Sequence, residues 1–118
     1  MITPPTHFDF VETTPQEIAF KLDTFRVIDV REPEEFDGPL GHLASAESIP
    51  VSSVARKIWH WNKTEPVLVV CRSGKRSEAV CKQLVTASFT HVTNLTGGML
   101  AWNEGCNYTN DCCGGESL

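Results

Sequence analysis

The stretch that most constrains this chain is Val67-Leu68-Val69-Val70, an unbroken apolar run that ends at Cys71. A strand with one wet face alternates apolar and polar side chains. A run with no polar residue reads as a strand buried on both faces, as in a parallel sheet. Parallel neighbours need a long crossover, usually a helix. The chain supplies one directly: about Ser77 to Ala87 reads as a helix with Ala79, Val80, Leu84 and Ala87 on its apolar side.

The rest of the chain repeats this order. Phe8 to Val11 reads as a first short strand. Thr14-Pro15-Gln16-Glu17 carries a capping box with proline at the first helical position, and its helix runs to about Asp23. Arg26 to Val30 is β-branched and bounded by polar residues, a second buried strand. Pro33 to Phe36 reads as a helical turn ended by Asp37-Gly38-Pro39, and Ala46 to Pro50 as a brief strand. Ser52 or Ser53 is placed to cap a helix through Ile58, Trp59 and Trp61. His91 to Leu95 is a last strand, and Gly97-Gly98 precedes a final helix from Met99 to about Glu104. Alternating strands and helices predict an α/β domain with right-handed crossovers over residues 1–105. Residues 106–118 are polar and Gly-rich, and are expected to form a flexible tail.

Composition narrows the function classes. The 118 residues make one domain, large enough for a real core. The net charge of −5 argues against a general nucleic-acid binder. No apolar run approaches a membrane span. The first twenty residues lack the basic and apolar regions of a secretory leader, which points to the cytoplasm. Five cysteines, an odd number, do not read as a disulfide framework. No nucleotide loop or credible metal cluster is present, so no cofactor or metal is expected, and the chain is read as a monomer.

The chemistry concentrates at Cys71-Arg72-Ser73-Gly74-Lys75-Arg76-Ser77. Position alone marks it, because ligands in open α/β sheets bind at the carboxyl ends of strands. Gly74 permits a backbone turn with positive φ, so that successive N–H groups point inward. The helix that follows adds its unpaired N–H groups and positive end. Arg72, Lys75 and Arg76 add formal charge. Such a field favours thiolate over thiol. A free cysteine with a pKa of about 8.5 is only a few per cent ionised near neutral pH. Lowering that pKa by about two units requires roughly 2.7 kcal/mol of differential interaction. The competing reading, an inert buried cysteine before a solvated basic turn, does not explain why a glycine, three cations and a helix start converge there.

Four segments in order resemble the rhodanese family. Asp29-Val30-Arg31-Glu32-Pro33-Glu34-Glu35-Phe36 resembles its first signature, and Gly41-His42-Leu43 with Ala46 and Ile49-Pro50 its second. Cys71 to Ser77 resembles the active-site loop of single-domain members, and Gly97 to Trp102 the closing signature. Ser45 and Ser48 depart from the glycine and asparagine usual in the family. The resemblance implies a five-stranded, mainly parallel sheet flanked by helices. It also implies a two-step sulfur transfer from thiosulfate or a related anion to cyanide or a thiol through a Cys71 persulfide. Arg72 and Lys75 would attract the donor. Arg76 would do the same or pin the loop.

Two other functions compete. Cysteine phosphatases and arsenate reductases also place a cysteine loop before a helix, but four residues, not five, separate Cys71 from Arg76 here. A persulfide carrier or docking module would need the same Cys71 and a sulfur-accepting partner protein. Cys112-Cys113-Gly114-Gly115 bears on that choice. It could receive sulfur from Cys71, close a disulfide with Cys106 or bind a soft metal; the plainer reading is an exposed tail. Asp29 and Arg31 are read as a structural ion pair near the sheet edge, with orientation of the loop as the alternative. His42 is read as a hydrogen-bonding residue of its turn, Trp102 as core, and Cys81 as a small buried hydrophobe. Trp59 and Trp61 point to different faces, leaving one exposed.

Overall fold

The computed structural model describes residues 10–109, with side-chain detail through Glu104. Five strands form one sheet: β1 (Val11–Thr13), β2 (Arg26–Asp29), β3 (Glu47–Ser48), β4 (Val67–Val70) and β5 (Val92–Leu95). Their spatial order is β1-β5-β4-β2-β3, and every pairing is parallel. The sheet is therefore wholly parallel, where the sequence led us to expect a mainly parallel one. The helices are α1 (Pro15–Ile18), α2 (Pro33–Phe36), α3 (Val51–Ile58), α4 (Lys75–Thr86) and α5 (Gly98–Thr109), with a 3₁₀ turn over Leu22–Thr24.

β4 is the middle strand, and its four side chains are fully buried. Val67 and Val69 belong to one core cluster, with Ile28, Val54, Ile58, Val80 and Leu84 from β2, α3 and α4. Leu68 and Val70 belong to the other, with Ile18, Val27, Leu95 and Met99 from α1, β2, β5 and α5. The two periods of the chain make this packing possible. Alternate strand residues face opposite layers, while Val54/Ile58 and Val80/Leu84 lie one helical turn apart on one face. Each such aliphatic side chain contributes about 1.5–3 kcal/mol on burial. Cys81 lies in the first cluster and is fully buried, as a small apolar residue would be. Trp102 is only half-buried and packs against the second cluster from its margin.

The capping box at Thr14 is present: Glu17 N–H donates to the Thr14 hydroxyl at 3.2 Å, and Thr14 N–H to the Glu17 carboxylate at 3.0 Å. Several boundaries differ from the sequence-based reading. β1 begins at Val11, because Phe10 packs against the core while the ladder to β5 runs from Val11 to Thr13. α1 is a single turn, and a 3₁₀ turn takes the place of its expected continuation to Asp23. α3 starts at Val51 behind Pro50, with no serine side chain capping it. α4 starts at Lys75 rather than Ser77, and α5 continues to Thr109, past the expected Glu104. Residues 106–109 of the expected flexible tail thus belong to α5, and Cys112 and Cys113 fall outside the described residues.

Asp29, the last residue of β2, and Arg31, two positions beyond it, form a buried ion pair at the carboxyl end of that strand, next to the edge strand β3. Arg31 is 1% exposed and Asp29 fully buried. The guanidinium donates to both carboxylate oxygens at 2.9 and 2.7 Å and to the Gly41 carbonyl at 2.7 Å. It thereby fixes the turn that carries His42. His42 Nδ1 lies 2.7 Å from the Phe36 carbonyl oxygen, and its ring stacks on Phe36 at 3.6 Å. Removing one partner of a buried pair leaves an uncompensated charge, so Asp29→Ala should lower unfolding free energy by about 3–5 kcal/mol in urea titration.

Candidate active site: the Cys71 loop

β4 delivers Cys71 to the carboxyl edge of the sheet, between β5 and β2. The residue itself is 1% exposed. Gly74 then reverses the backbone with φ of +100° and stands at the N-cap of α4. That conformation suits glycine and strains other residues. It aims Gly74 N–H at Cys71 Sγ, 3.0 Å away. Ser77 contributes twice: its N–H donates to Sγ at 3.3 Å, and its hydroxyl lies 3.3 Å from the same atom. Ser77 is fully buried, so its hydroxyl faces the sulfur rather than solvent.

Two opposing effects act on the thiol. Burial is the largest single one and raises its pKa. Hydrogen bonds from the Ser77 side chain, Ser77 N–H, Gly74 N–H and Ser73 N–H stabilise the anion, and their sum wins. Cys71 ionises below the ordinary thiol range. Cys81 differs sharply: burial pushes its thiol far up, and it stays protonated.

The loop is held from behind by the first turn of α5. Met99 N–H donates to the Cys71 carbonyl at 2.8 Å, and Leu100 N–H to the Arg72 carbonyl at 3.0 Å. Such a close approach requires Gly98, whose φ is +59°. A Cβ built there would stand 2.3 Å from the Cys71 carbonyl oxygen. Asn94 on β5 is 2% exposed. It donates to Glu12 at 3.1 Å and, over a longer 3.4 Å, to the Gly74 carbonyl.

The sequence-derived residues divide into groups. Cys71, Ser73, Gly74 and Ser77 converge on the sulfur. Arg72 and Lys75 are exposed at the rim. Arg76 makes no hydrogen bond to the sulfur: its two terminal nitrogens donate to the two Glu35 oxygens at 2.7 and 2.8 Å. Of the two roles left open for Arg76, the geometry matches pinning. Asp29, Arg31 and His42 make the contacts described above, none of them with the sulfur. Glu35, Gly98 and Asn94 were not singled out as site residues. The paired glycines Gly97-Gly98 are a local signal from which a close approach could have been inferred, whereas Glu35 and Asn94 carry none. A cleft of about 290 Å³ borders the loop and is lined in part by Glu12, Ser73, Lys75 and Glu78. Cys71 does not line it; the loop itself encloses the sulfur. Among the described residues, no cluster of histidine, cysteine or carboxylate side chains is arranged to hold a metal. No described helix is long and apolar enough to cross a membrane.

Two substitutions test this arrangement. Ser77→Ala removes the leading stabiliser of the anion, so the pH profile of Cys71 alkylation should move to higher pH. The folded pKa lies below that of the unfolded thiol, about 8.5. Ionised Cys71 therefore adds stability that is fully present above that unfolded value. It is lost as pH falls through the folded pKa. Gly98→Ala should displace the loop backbone and lower both the melting temperature and the alkylation rate.

Residues 14–105 match the family described as Rhodanese-like domain. The chloroplastic rhodanese-like domain-containing protein 15 of Arabidopsis thaliana is 33% identical, over 68% of this chain and 50% of that protein. A sulfurtransferase of Allochromatium vinosum is 31% identical, over 77% of this chain and 82% of that protein. A rhodanese-related protein from Thermoplasma volcanium superposes with a TM-score of 0.73 at 25% identity, over 81% of this chain and 93% of that one. A NAD-dependent persulfide reductase from A. fulgidus superposes with a TM-score of 0.61 at 27% identity, but the match covers 79% of this chain and only 16% of that one. The chain spans about half the length of curated relatives such as the Arabidopsis protein. With its wholly parallel sheet and a buried cysteine wrapped by main-chain donors, the chain belongs to the rhodanese-like domain family.

Proposed function

We propose that the chain is a sulfurtransferase that carries sulfane sulfur as a Cys71 persulfide. The observation that carries this reading is the convergence of Gly74 N–H, Ser77 N–H and the Ser77 hydroxyl on one sulfur atom. The resemblance to a named sulfurtransferase over most of both chains supports it.

The chemistry divides into two displacements. Cys71 thiolate attacks the outer sulfur of thiosulfate. The new S–S bond forms as the old one breaks, and sulfite departs with the electron pair. The terminal sulfur of the persulfide is then attacked by cyanide or a thiolate, which leaves with that sulfur and returns Cys71 as thiolate. No general base is needed in this reading, because the loop donors favour the ionised nucleophile. This fits His42, whose Nδ1 is engaged with the Phe36 carbonyl. The loop donors stabilise negative sulfur before and after each transfer, which is preorganised electrostatic catalysis. Arg72 and Lys75, exposed at the rim, draw the anionic donor.

The physiological acceptor in this reading is a thiol, on a small molecule or a partner protein. The likeness to part of a persulfide reductase favours an acceptor of persulfide chemistry over cyanide.

Thiosulfate treatment followed by intact-mass measurement should show a gain of one sulfur atom on the parent chain and none on Cys71→Ser. Cyanide should remove it. A parent chain that gains nothing from thiosulfate or from glutathione persulfide overturns the reading.

A further inference from the structure

We infer that Glu35 sets the anion selectivity of the Cys71 loop by withholding Arg76 from it. The inference rests on Cys71 being reached by anionic donors, and it concerns which anions the loop retains. Arg76 stands in the first turn of α4, next to Ser77, where the Cys71 charge acts on it. Both of its terminal nitrogens are spent on Glu35, at 2.7 and 2.8 Å. This is a fork-to-fork pair, the same geometry by which a guanidinium grips a tetrahedral oxyanion. A carboxylate from α2 occupies the place such an anion would take.

Glu35 is itself held in position. Its Oε2 also accepts from Glu32 N–H at 3.1 Å, closing the capping box of α2. The Arg76 hydrogen bonds, with that backbone bond, hold its carboxyl down to about 2 despite partial burial. The pair therefore stays charged across neutral and mildly acidic pH, and its net charge near the loop is zero. Its side chains are 39% and 30% exposed, so it adds little to folding. Its effect falls on the loop, which keeps Arg72 and Lys75 as exposed cations and converges its N–H groups on a single sulfur atom. Tetrahedral oxyanions such as sulfate and phosphate, denied the guanidinium fork, are held less tightly at the loop.

The test uses protection of Cys71 from iodoacetamide by inorganic sulfate and phosphate, at ionic strength held constant with chloride. Glu35→Gln keeps an acceptor for Glu32 N–H but releases the guanidinium. The half-protecting sulfate concentration should fall about tenfold, the scale of one charge-assisted hydrogen bond. Adding Arg76→Gln to Glu35→Gln should return it to the parent level. Equal protection of the parent and Glu35→Gln overturns the inference. So does a gain that survives in the double variant, which has the parent's net charge and no Arg76 guanidinium, since the gain would then not come from Arg76. Glu35→Gln with Arg76→Lys keeps the single variant's charge without the fork and should lose most of the gain; full retention there would assign it to net charge and overturn the inference. Alkylation needs only a reactive thiolate, so this result is independent of whether thiosulfate loads sulfur onto Cys71.

Discussion

Everything around Cys71 follows from the placement of main-chain N–H groups on a sulfur atom that burial alone would keep protonated. Desolvation is the largest single effect on that thiol and works against ionisation. The fold reverses the outcome by geometry rather than by formal charge. Gly74 turns the chain with a positive φ, α4 begins at once, and Ser77 brings both its N–H and its hydroxyl to the sulfur. Dipoles fixed in a dry site need no reorganisation when charge appears, which is why they outweigh mobile cations at an exposed rim.

The rest of the structure holds those donors still. β4 fixes one end of the loop because its side chains are buried in both core layers. α5 fixes the other side by donating two N–H groups to the carbonyls of Cys71 and Arg72, an approach open only to glycine at position 98. α2 reaches across through Glu35 to Arg76, and the buried Asp29–Arg31 pair anchors the turn on which His42 and Phe36 stack. Segments far apart in the chain are thus coupled to one sulfur through a few directional bonds.

Local signals in the sequence identified the loop but misjudged how it joins the helix. Lysine and arginine at a helix N-terminus oppose the macrodipole, and serine is a favoured cap, so Lys75 and Arg76 read as loop and Ser77 as the helix start. In the structure Gly74 takes the cap position, and the Ser77 hydroxyl is committed to the sulfur. Ser52 and Ser53 misled in the same way, since Pro50 stands at the cap of α3. The strands of the centre were legible because β4 and β2 carry dense β-branched runs. β1 was not, because Phe10 carries apolar character outside the ladder. Glu35 was beyond any local signal: its partner lies 41 positions away, and among neighbouring acidic residues nothing distinguishes it. Long-range side-chain pairing is a property of the folded backbone.

The most direct measurement is the ionisation of Cys71 in the parent chain. It can be read from thiolate absorbance as pH is raised, with the Cys71→Ser chain subtracted. Buried Cys81 stays protonated through that range and does not contribute. If the loop donors hold an anion, the titration inflects below the ordinary thiol value of about 8.5. An inflection at or above that value would mean that burial prevails, and the sulfur would then have no preformed nucleophilic state from which to accept a sulfane atom.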